Sequence, residues 1–552
     1  MNRDLTKLTN QEYDLLVVGG GISGAFAALD AALRGLSVAL IEKDDFGGAT
    51  SAASGKLIHG GVRFLQYGAL NRVIESLHER MVFRRIAPHM IRAVPFIVPT
   101  YGHLMKGREI LKIGMAVYEF LSRNKRNSGD PQAILPVHRM LSRRQVIERE
   151  EGLAFSGLNG GILYYECQMH NPERLTLSVV FAAREAGAQV VNYAEATDFI
   201  KMSNRVCGIK ACDRITGNAF EVKAKIVLNA AGPWVCPLLD KLCKKSPLRT
   251  LRYSKGIHIV TRPVTRNHAV ALTTRHRNAE SLLQRGGRHY FIIPWRGRSL
   301  IGTTNESFDG NPDGKMVSDT DIVGLIQEVN AAYPAGRLTR EDVLMQYGGL
   351  YIDDEINAMK GYQGSRNDRV IDHARSDKIK GLVTCLCVKY TTARKLAQRT
   401  IDVVFEKLGY APPDCRTDQH HVFGGHIEQF GRFLEEAVLR TDSLDEDVTR
   451  QLVSNYGDRY RDLLRYFDEN PEWCDRVHRE LPILKAQLIH AVRKEMAQKL
   501  SDVVFRRTGI GTVGNPGDAC LKTCAEIVAR ELNWTADQAR RELSEVYKIL
   551  SV

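Results

Sequence analysis

The chain of 552 residues is too long for one small core and has room for two to four domains at about 150 residues each. Its 44% hydrophobic and 26% charged residues are an ordinary soluble composition, whereas a formal charge of +13 favours anionic partners. Phosphorylated substrates, nucleotides, nucleic acids and anionic membranes all meet that description. No uncharged apolar stretch approaches the roughly 18–20 residues that span a bilayer, and the first 21 residues lack the apolar run of a signal peptide. The expected location is therefore cytoplasmic, with any membrane contact peripheral on the inner face of the cytoplasmic membrane. The 11 cysteines are scattered and odd in number, which fits reduced thiols.

In chain order, residues 13–18 form an aliphatic run entering a glycine turn. Ile22 to Leu33 then reads as a helix, and Val38 to Ile41 as a second strand closed by Glu42, the start of a βαβ unit. Residues 43–68 are rich in Gly, Ser and Ala and read as a loop and helix start around a ligand. Residues 108–121 form an amphipathic helix, followed by a basic turn from Arg123 to Arg126. Short strands are expected at 162–165, 189–192, 206–211, 226–230, 256–261, 290–293 and 299–302, most of them in an inserted antiparallel sheet. Cys385 and Cys387 are expected to face the same way on a core strand, without the spacing of a metal site. The reading is α/β: a Rossmann-type domain with an interleaved, mainly antiparallel substrate sheet over 1–425, then an α-helical domain over 426–552.

Gly19, Gly21 and Gly24 make a G-x-G-x-x-G turn between strand and helix. Gly19 allows the tight turn, Gly21 the approach of a pyrophosphate, and Gly24 close packing of helix on strand. The N–H groups of the first helical turn, at Ile22 and Ser23, can bind the diphosphate, and Glu42 can accept from ribose hydroxyls. FAD and NAD would both be served. The run from Ile226 to Trp234, a buried strand entering a small-residue turn at Ala231-Gly232, resembles the second dinucleotide contact of flavoproteins with two dinucleotide-binding domains and favours FAD.

The segment from Ala49 to Leu65 resembles the one following the dinucleotide motif in the FAD-dependent glycerol-3-phosphate dehydrogenases, of the D-amino-acid-oxidase-like flavoprotein superfamily. Similar pieces follow in order: Lys255 to Val260, Ile293-Pro294-Trp295, Ile301 to Thr304, and Lys389 to Ala397. Phe505 to Thr508 and Arg530 to Trp534 resemble that family's C-terminal domain, so the likeness spans nearly the whole chain. It implies that Glu42, Lys43, Thr50, Ser51, Ser54, Lys56, His59, Gly60, Gly61, Ala231, Gly232, Lys389, Tyr390 and Thr391 contact FAD. It further implies that Arg63 holds a substrate phosphate, that Lys389 and Thr391 stand near substrate and flavin, and that His258 takes the alcohol proton. His258 and Lys389 are thus the candidate catalytic residues. Taken as isolated residues, Arg63 and Lys389 read equally as surface cations and His258 as a hydrogen-bonded core histidine.

Three departures from the family pattern bear on the substrate and the flavin. Tyr351 stands where the family carries a phosphate-binding arginine, a change that can remove about 1.5–3 kcal/mol of binding. Arg275, Arg277, Arg366 and Arg369 are candidates to compensate. Cys387-Val388 replaces a glycine pair beside the flavin, and Asn305 replaces an aspartate. The implied activity is oxidation of sn-glycerol 3-phosphate, with electrons passed to a quinone and the basic helix docking on lipid. A homodimer is left open. Alternatives are an FAD oxidase or dehydrogenase for another polyol phosphate, hydroxy or amino substrate, or a degenerate flavoprotein with a binding or regulatory role. Neither a metal nor nucleic acid is expected, since the basic residues are dispersed.

Overall fold

The computed structural model describes residues 3–102, 108–123, 134–242, 251–273, 289–314, 316–353 and 368–551. Its first sheet is built around strand Glu12–Val18, which pairs in parallel with Val38–Ile41 on one side and Ala219–Asn229 on the other. Leu15, Leu16, Val17 and Val18 are all buried, the continuous apolar pattern of a central parallel strand covered on both faces. Leu382–Leu386 and Gln189–Val191 extend the parallel run, and Arg369–Asp372 closes one edge antiparallel. Helix Ile22–Leu33 packs between Pro172–Glu185 and Ala393–Leu408, its Ala25, Ala27, Ala28 and Ala31 letting three helices approach one another closely.

The second sheet is mainly antiparallel. Arg252–Thr261 lies at its centre of interest, flanked by Arg298–Gly302 and by Val343–Asp353. Beyond Arg298–Gly302 run His289–Trp295, Ala269–Thr273, Ile91–Tyr101, Leu158–Met169 and Leu57–Ile58. The strands expected near 162, 256, 290 and 299 belong here. Those expected near 189, 206 and 226 belong to the first sheet, because Arg205–Asp213 pairs with the near half of Ala219–Asn229, whose far half enters the parallel core. The cysteine pair also differs from expectation. The core strand ends at Leu386, so Cys385 is buried in it while Cys387 lies beyond, half-buried.

Among the described residues, 430–550 form helices and turns without a named strand. These helices share a core with the second sheet, where Val503, Val504, Phe505 and Ile510 meet Val260, Ile293 and Trp295. Ion pairs with both partners buried also join these helices to the part of the chain built on the first sheet. Arg174 meets Glu495 at 2.7 Å, and Arg507 meets both oxygens of Asp45 at 2.6 and 2.8 Å. Burial alone would raise the Asp45 carboxyl, but Arg507 and Arg506 more than reverse that and hold it well below the usual carboxylate range.

Helix Arg108–Arg123 rests Met115 and Tyr118 on the core and turns Ile113, Val117 and Phe120 outward, the last 71% exposed. The amphipathic character expected of this helix thus has one side on the core and an apolar side facing out. The basic turn after Arg123 lies outside the described residues. No helix among the described residues is long and apolar enough to cross a membrane.

Candidate cofactor and substrate site

A cavity of about 1010 Å³ begins at the glycine turn and runs between the two sheets. At the turn, the Ile22 N–H donates to Ser51 Oγ at 3.0 Å, and a Cβ on Gly21 would come 3.1 Å from the same oxygen. A hydroxyl thus stands before the helix N-terminus, where a phosphate oxygen would be received. Gly24 has a different duty: a Cβ there would run into the Gly19 carbonyl, so it sets the spacing of helix and strand. Glu42 accepts from the Gly20 N–H at 2.6 Å and the Asp44 N–H at 2.9 Å, tying the glycine turn to the end of the second strand. Burial pushes its carboxyl up to about 7.

Ile22, Ser23, Lys43, Thr50, Ser51, Ser54, His59, Gly61, Ala231, Gly232, Lys389, Tyr390 and Thr391 line the cavity with Gly19, Gly21 and Glu42, whereas Gly24 does not. Thr50 Oγ1 donates to the Leu350 carbonyl at 2.9 Å, and the His59 N–H to Thr391 Oγ1 at 3.3 Å, so the 49–65 segment is stitched to the second sheet and to the turn Tyr390–Thr392. Lys43 Nζ lies 3.8 Å above the Trp234 ring and 2.7 Å from Asp313. Two residues expected to contact FAD, Lys56 and Gly60, do not line the cavity. Lys56 is 1% exposed and gives its ammonium to Glu173 at 3.0 Å between the Trp295 and Tyr347 rings, as a buried cation requires, rather than to a phosphate. Gly60 donates its N–H to Glu166 at 2.8 Å, and the place of its missing Cβ is taken by Tyr118, so it is a packing glycine.

At the other end His258 occupies strand Arg252–Thr261, directly opposite Tyr347 on one neighbour and Gly302 on the other. The rings of His258 and Tyr347 stack at 5.2 Å, and a Cβ on Gly302 would come 2.5 Å from the imidazole. Glycine is therefore needed at 302 for the histidine to fit. His258 is 5% exposed, and its Nδ1 has no protein partner among the described residues. Burial, with the Lys56 ammonium adding to it, pushes the imidazole down to about 3, so it is neutral at physiological pH. Among the described residues, the isolated reading of a core histidine hydrogen-bonded at Nδ1 is not met.

Tyr351 lines the cavity opposite Ser254, and its hydroxyl meets Asn305, which also receives Ser254 Oγ. Two of the three departures from the family pattern, Tyr351 and Asn305, are thus one contact. Lys389 Nζ lies 4.1 Å from the Phe64 ring centre, and burial lowers its ammonium. Cys387 and Val388, which replace the family's glycine pair, line the cavity. Asp368 fixes that turn by accepting from the Val388 N–H at 2.8 Å and Thr392 Oγ1 at 2.6 Å. Arg63 lies on the turn Val62–Tyr67, but its side chain is outside the described residues, as are Arg275, Arg277 and Arg366. Arg369 sits on the edge strand Arg369–Asp372 and does not line the cavity.

Sequence reasoning missed Phe64, Tyr347 and Asp313, and Lys499, Ser501 and Arg506 from the C-terminal helices. Strand alternation could have found Tyr347, four residues before Tyr351 on the same face. Arg506 lies in the stretch 505–508 that resembles the family's C-terminal domain, but no local signal places it, Lys499 or Ser501 at the cavity. Among the described residues there is no cluster of metal-ligating side chains.

The cradle suits a dinucleotide. A side-chain-free position faces a helix N-terminus, an acid closes the second strand, and the volume is at the upper end for small-molecule sites, about 1000 Å³. Residues 14–389 match the FAD dependent oxidoreductase family, and 415–539 match the C-terminal domain of alpha-glycerophosphate oxidase. The glycerol-3-phosphate dehydrogenase of Synechocystis sp. is 35% identical, covering 99% of this chain and 98% of that protein. The aerobic glycerol-3-phosphate dehydrogenase of Staphylococcus haemolyticus is 30% identical, covering 99% and 96%. The crystal structure of the glycerol-3-phosphate dehydrogenase from Bacillus halodurans complexed with FAD superimposes with a TM-score of 0.78 at 29% identity, covering 99% of this chain and 96% of that one. The chain belongs to the FAD-dependent oxidoreductases, in the glycerol-3-phosphate dehydrogenase family.

Proposed function

We propose that this enzyme oxidises sn-glycerol 3-phosphate to dihydroxyacetone phosphate and passes the electrons to a quinone. The observation that carries the reading is a single cavity joining the glycine cradle to a neutral buried imidazole, a lysine and two hydroxyl side chains. The printed activity of relatives covering 99% of the chain supports the same substrate. Bound FAD supplies a two-electron acceptor for the hydride on the substrate's secondary carbon. His258 takes the hydroxyl proton as the carbonyl forms. Lys389 and Arg63 offer positive charge to the phosphate, while Thr391 and Tyr351 orient the polyol. The test is anaerobic mixing of the holoenzyme with glycerol 3-phosphate, other polyol phosphates, hydroxy acids and amino acids. Bleaching of the flavin by glycerol 3-phosphate alone or fastest is expected; bleaching by another substrate and not by this one would overturn the assignment.

Tyr351 makes a specific expectation of its own. A phenol engaged with Asn305 carries no charge, so Tyr351→Arg should lower the KM for glycerol 3-phosphate, by about tenfold for one charge-assisted hydrogen bond. An unchanged or higher KM, read by steady-state dye reduction, would mean the phosphate is held elsewhere.

The outward face of helix Arg108–Arg123 supports delivery of electrons to a membrane quinone. This helix packs against the turn that carries Phe64, which lines the cavity. Phe120→Glu should reduce sedimentation with anionic vesicles severalfold while leaving dye-linked activity intact. Equal sedimentation of both proteins would remove the helix as the docking element.

A further inference from the structure

Rossmann geometry fixes the direction in which the cofactor lies. With the diphosphate at the glycine turn and a ribose at Glu42, the adenine falls beyond Glu42, against whatever stands there. What stands there is a corner of the FAD-binding domain: the Ala194 N–H donates to the Glu42 carbonyl at 2.8 Å, and the Tyr193 N–H to the Asp44 carbonyl at 2.9 Å. Residues 499–507 of the C-terminal domain are docked on this corner. Tyr193 donates its hydroxyl to Asp502 at 2.6 Å, and Lys499 Nζ lies 5.0 Å from the Tyr193 ring centre. Arg506 donates to Asp45 and to Asp502, each at 2.5 Å, and its side chain lies over Gly48, where a Cβ would be 3.7 Å away. Asn192 Nδ2 links Asp45 to the Met496 carbonyl, both at 3.0 Å. Lys499, Ser501 and Arg506 thereby line the same cavity as Tyr193, Ala194, Glu195 and Ala196.

We infer that the C-terminal helical domain is part of the cofactor site: Lys499, Ser501 and Arg506 wall the adenosine half of FAD, which is held between two domains. The wall works in two ways. Ser501 and Lys499 offer polar atoms to the adenosine directly. Arg506 and Arg507 clamp Asp45 and so fix the loop Asp44–Gly48, next in the chain after the ribose-binding acid. The domain then distinguishes ligands that carry an adenylate from those that carry only the flavin. It also follows that FAD loss and C-terminal undocking are linked, since a ligand touching both bodies stabilises their contact.

The test uses the full-length apoprotein titrated with FAD, FMN and ADP, followed by flavin fluorescence quenching and calorimetry. Lys499→Ala and Arg506→Lys should each weaken FAD and ADP about tenfold, the scale of one lost polar contact, and leave FMN within about twofold. Hydrogen exchange on the unaltered chain gives a reading independent of any folding defect. FAD and ADP should slow exchange across 496–507, and FMN should not. Equal weakening of FMN and FAD, or exchange in 496–507 that is indifferent to FAD, would overturn the inference without touching the assignment of FAD or of the substrate.

Discussion

Gly21→Val is expected to give a folded protein without flavin. The backbone at Gly21 has φ −73°, which any residue adopts, and the nearest atom to an added Cβ is Ser51 Oγ at 3.1 Å, on a side chain that can turn away. The ligand-free fold therefore has room for valine. The branched side chain, however, fills the space in front of the Ile22 N–H, where the diphosphate must come to the helix N-terminus. Gly24→Val is the contrasting case. Its Cβ would press into the Gly19 carbonyl, and Gly19 itself has φ +113°, so strand, turn and helix would have to separate. Circular dichroism and flavin absorbance after purification separate the two: native secondary structure and no flavin for Gly21→Val, insoluble or unfolded protein for Gly24→Val. Stoichiometric flavin in Gly21→Val would contradict the placement of the diphosphate.

This pair also marks what could be read before the structure. The helix Ile22–Leu33 and strand Val38–Ile41 match their expected bounds because both are set by local signals, a glycine turn at one end and an acid at the other. The second sheet was legible only in pieces. Strands such as Ile91–Tyr101 carry two prolines at positions 95 and 99, and only its pairing with Leu158–Met169 makes it a strand. Lys56 shows the opposite limit. Its place in a family motif implied a contact with FAD, while the partner of its ammonium was decided by Glu173, 117 residues away, together with two aromatic rings. The contact of Tyr351 with Asn305 joins two departures 46 residues apart that sequence reading treated separately. Arg506 and Lys499 were out of reach for the same reason, since domain docking leaves no local pattern.

His258→Gln is expected to lower the rate of flavin reduction by glycerol 3-phosphate by about 10²–10⁴-fold, the usual range for a lost general base, with FAD content unchanged. Glutamine is polar and of similar size beside Gly302 and Tyr347, so with FAD content unchanged the loss would report chemistry rather than packing. The pH dependence sharpens this. An imidazole pushed down to about 3 is already neutral throughout the physiological range, so the rate of flavin reduction should show no acidic limb near the ordinary histidine value of 6.5. The groups that face it are the Lys56 ammonium, which disfavours protonation, and the Tyr347 hydroxyl, which burial holds in its neutral form. The stability linkage has a definite sign. The unfolded chain binds a proton at His258 below about 6.5 and the folded chain does not until about 3, so this residue's contribution is fully present above 6.5 and declines as pH falls from there. His258→Gln should accordingly flatten part of the acid side of a melting-temperature profile. Stopped-flow reduction of the wild-type flavin between pH 5 and 8 decides the catalytic point, because a limb near 6.5 that vanishes in His258→Gln would mean the imidazole is solvated and not held neutral by its strand.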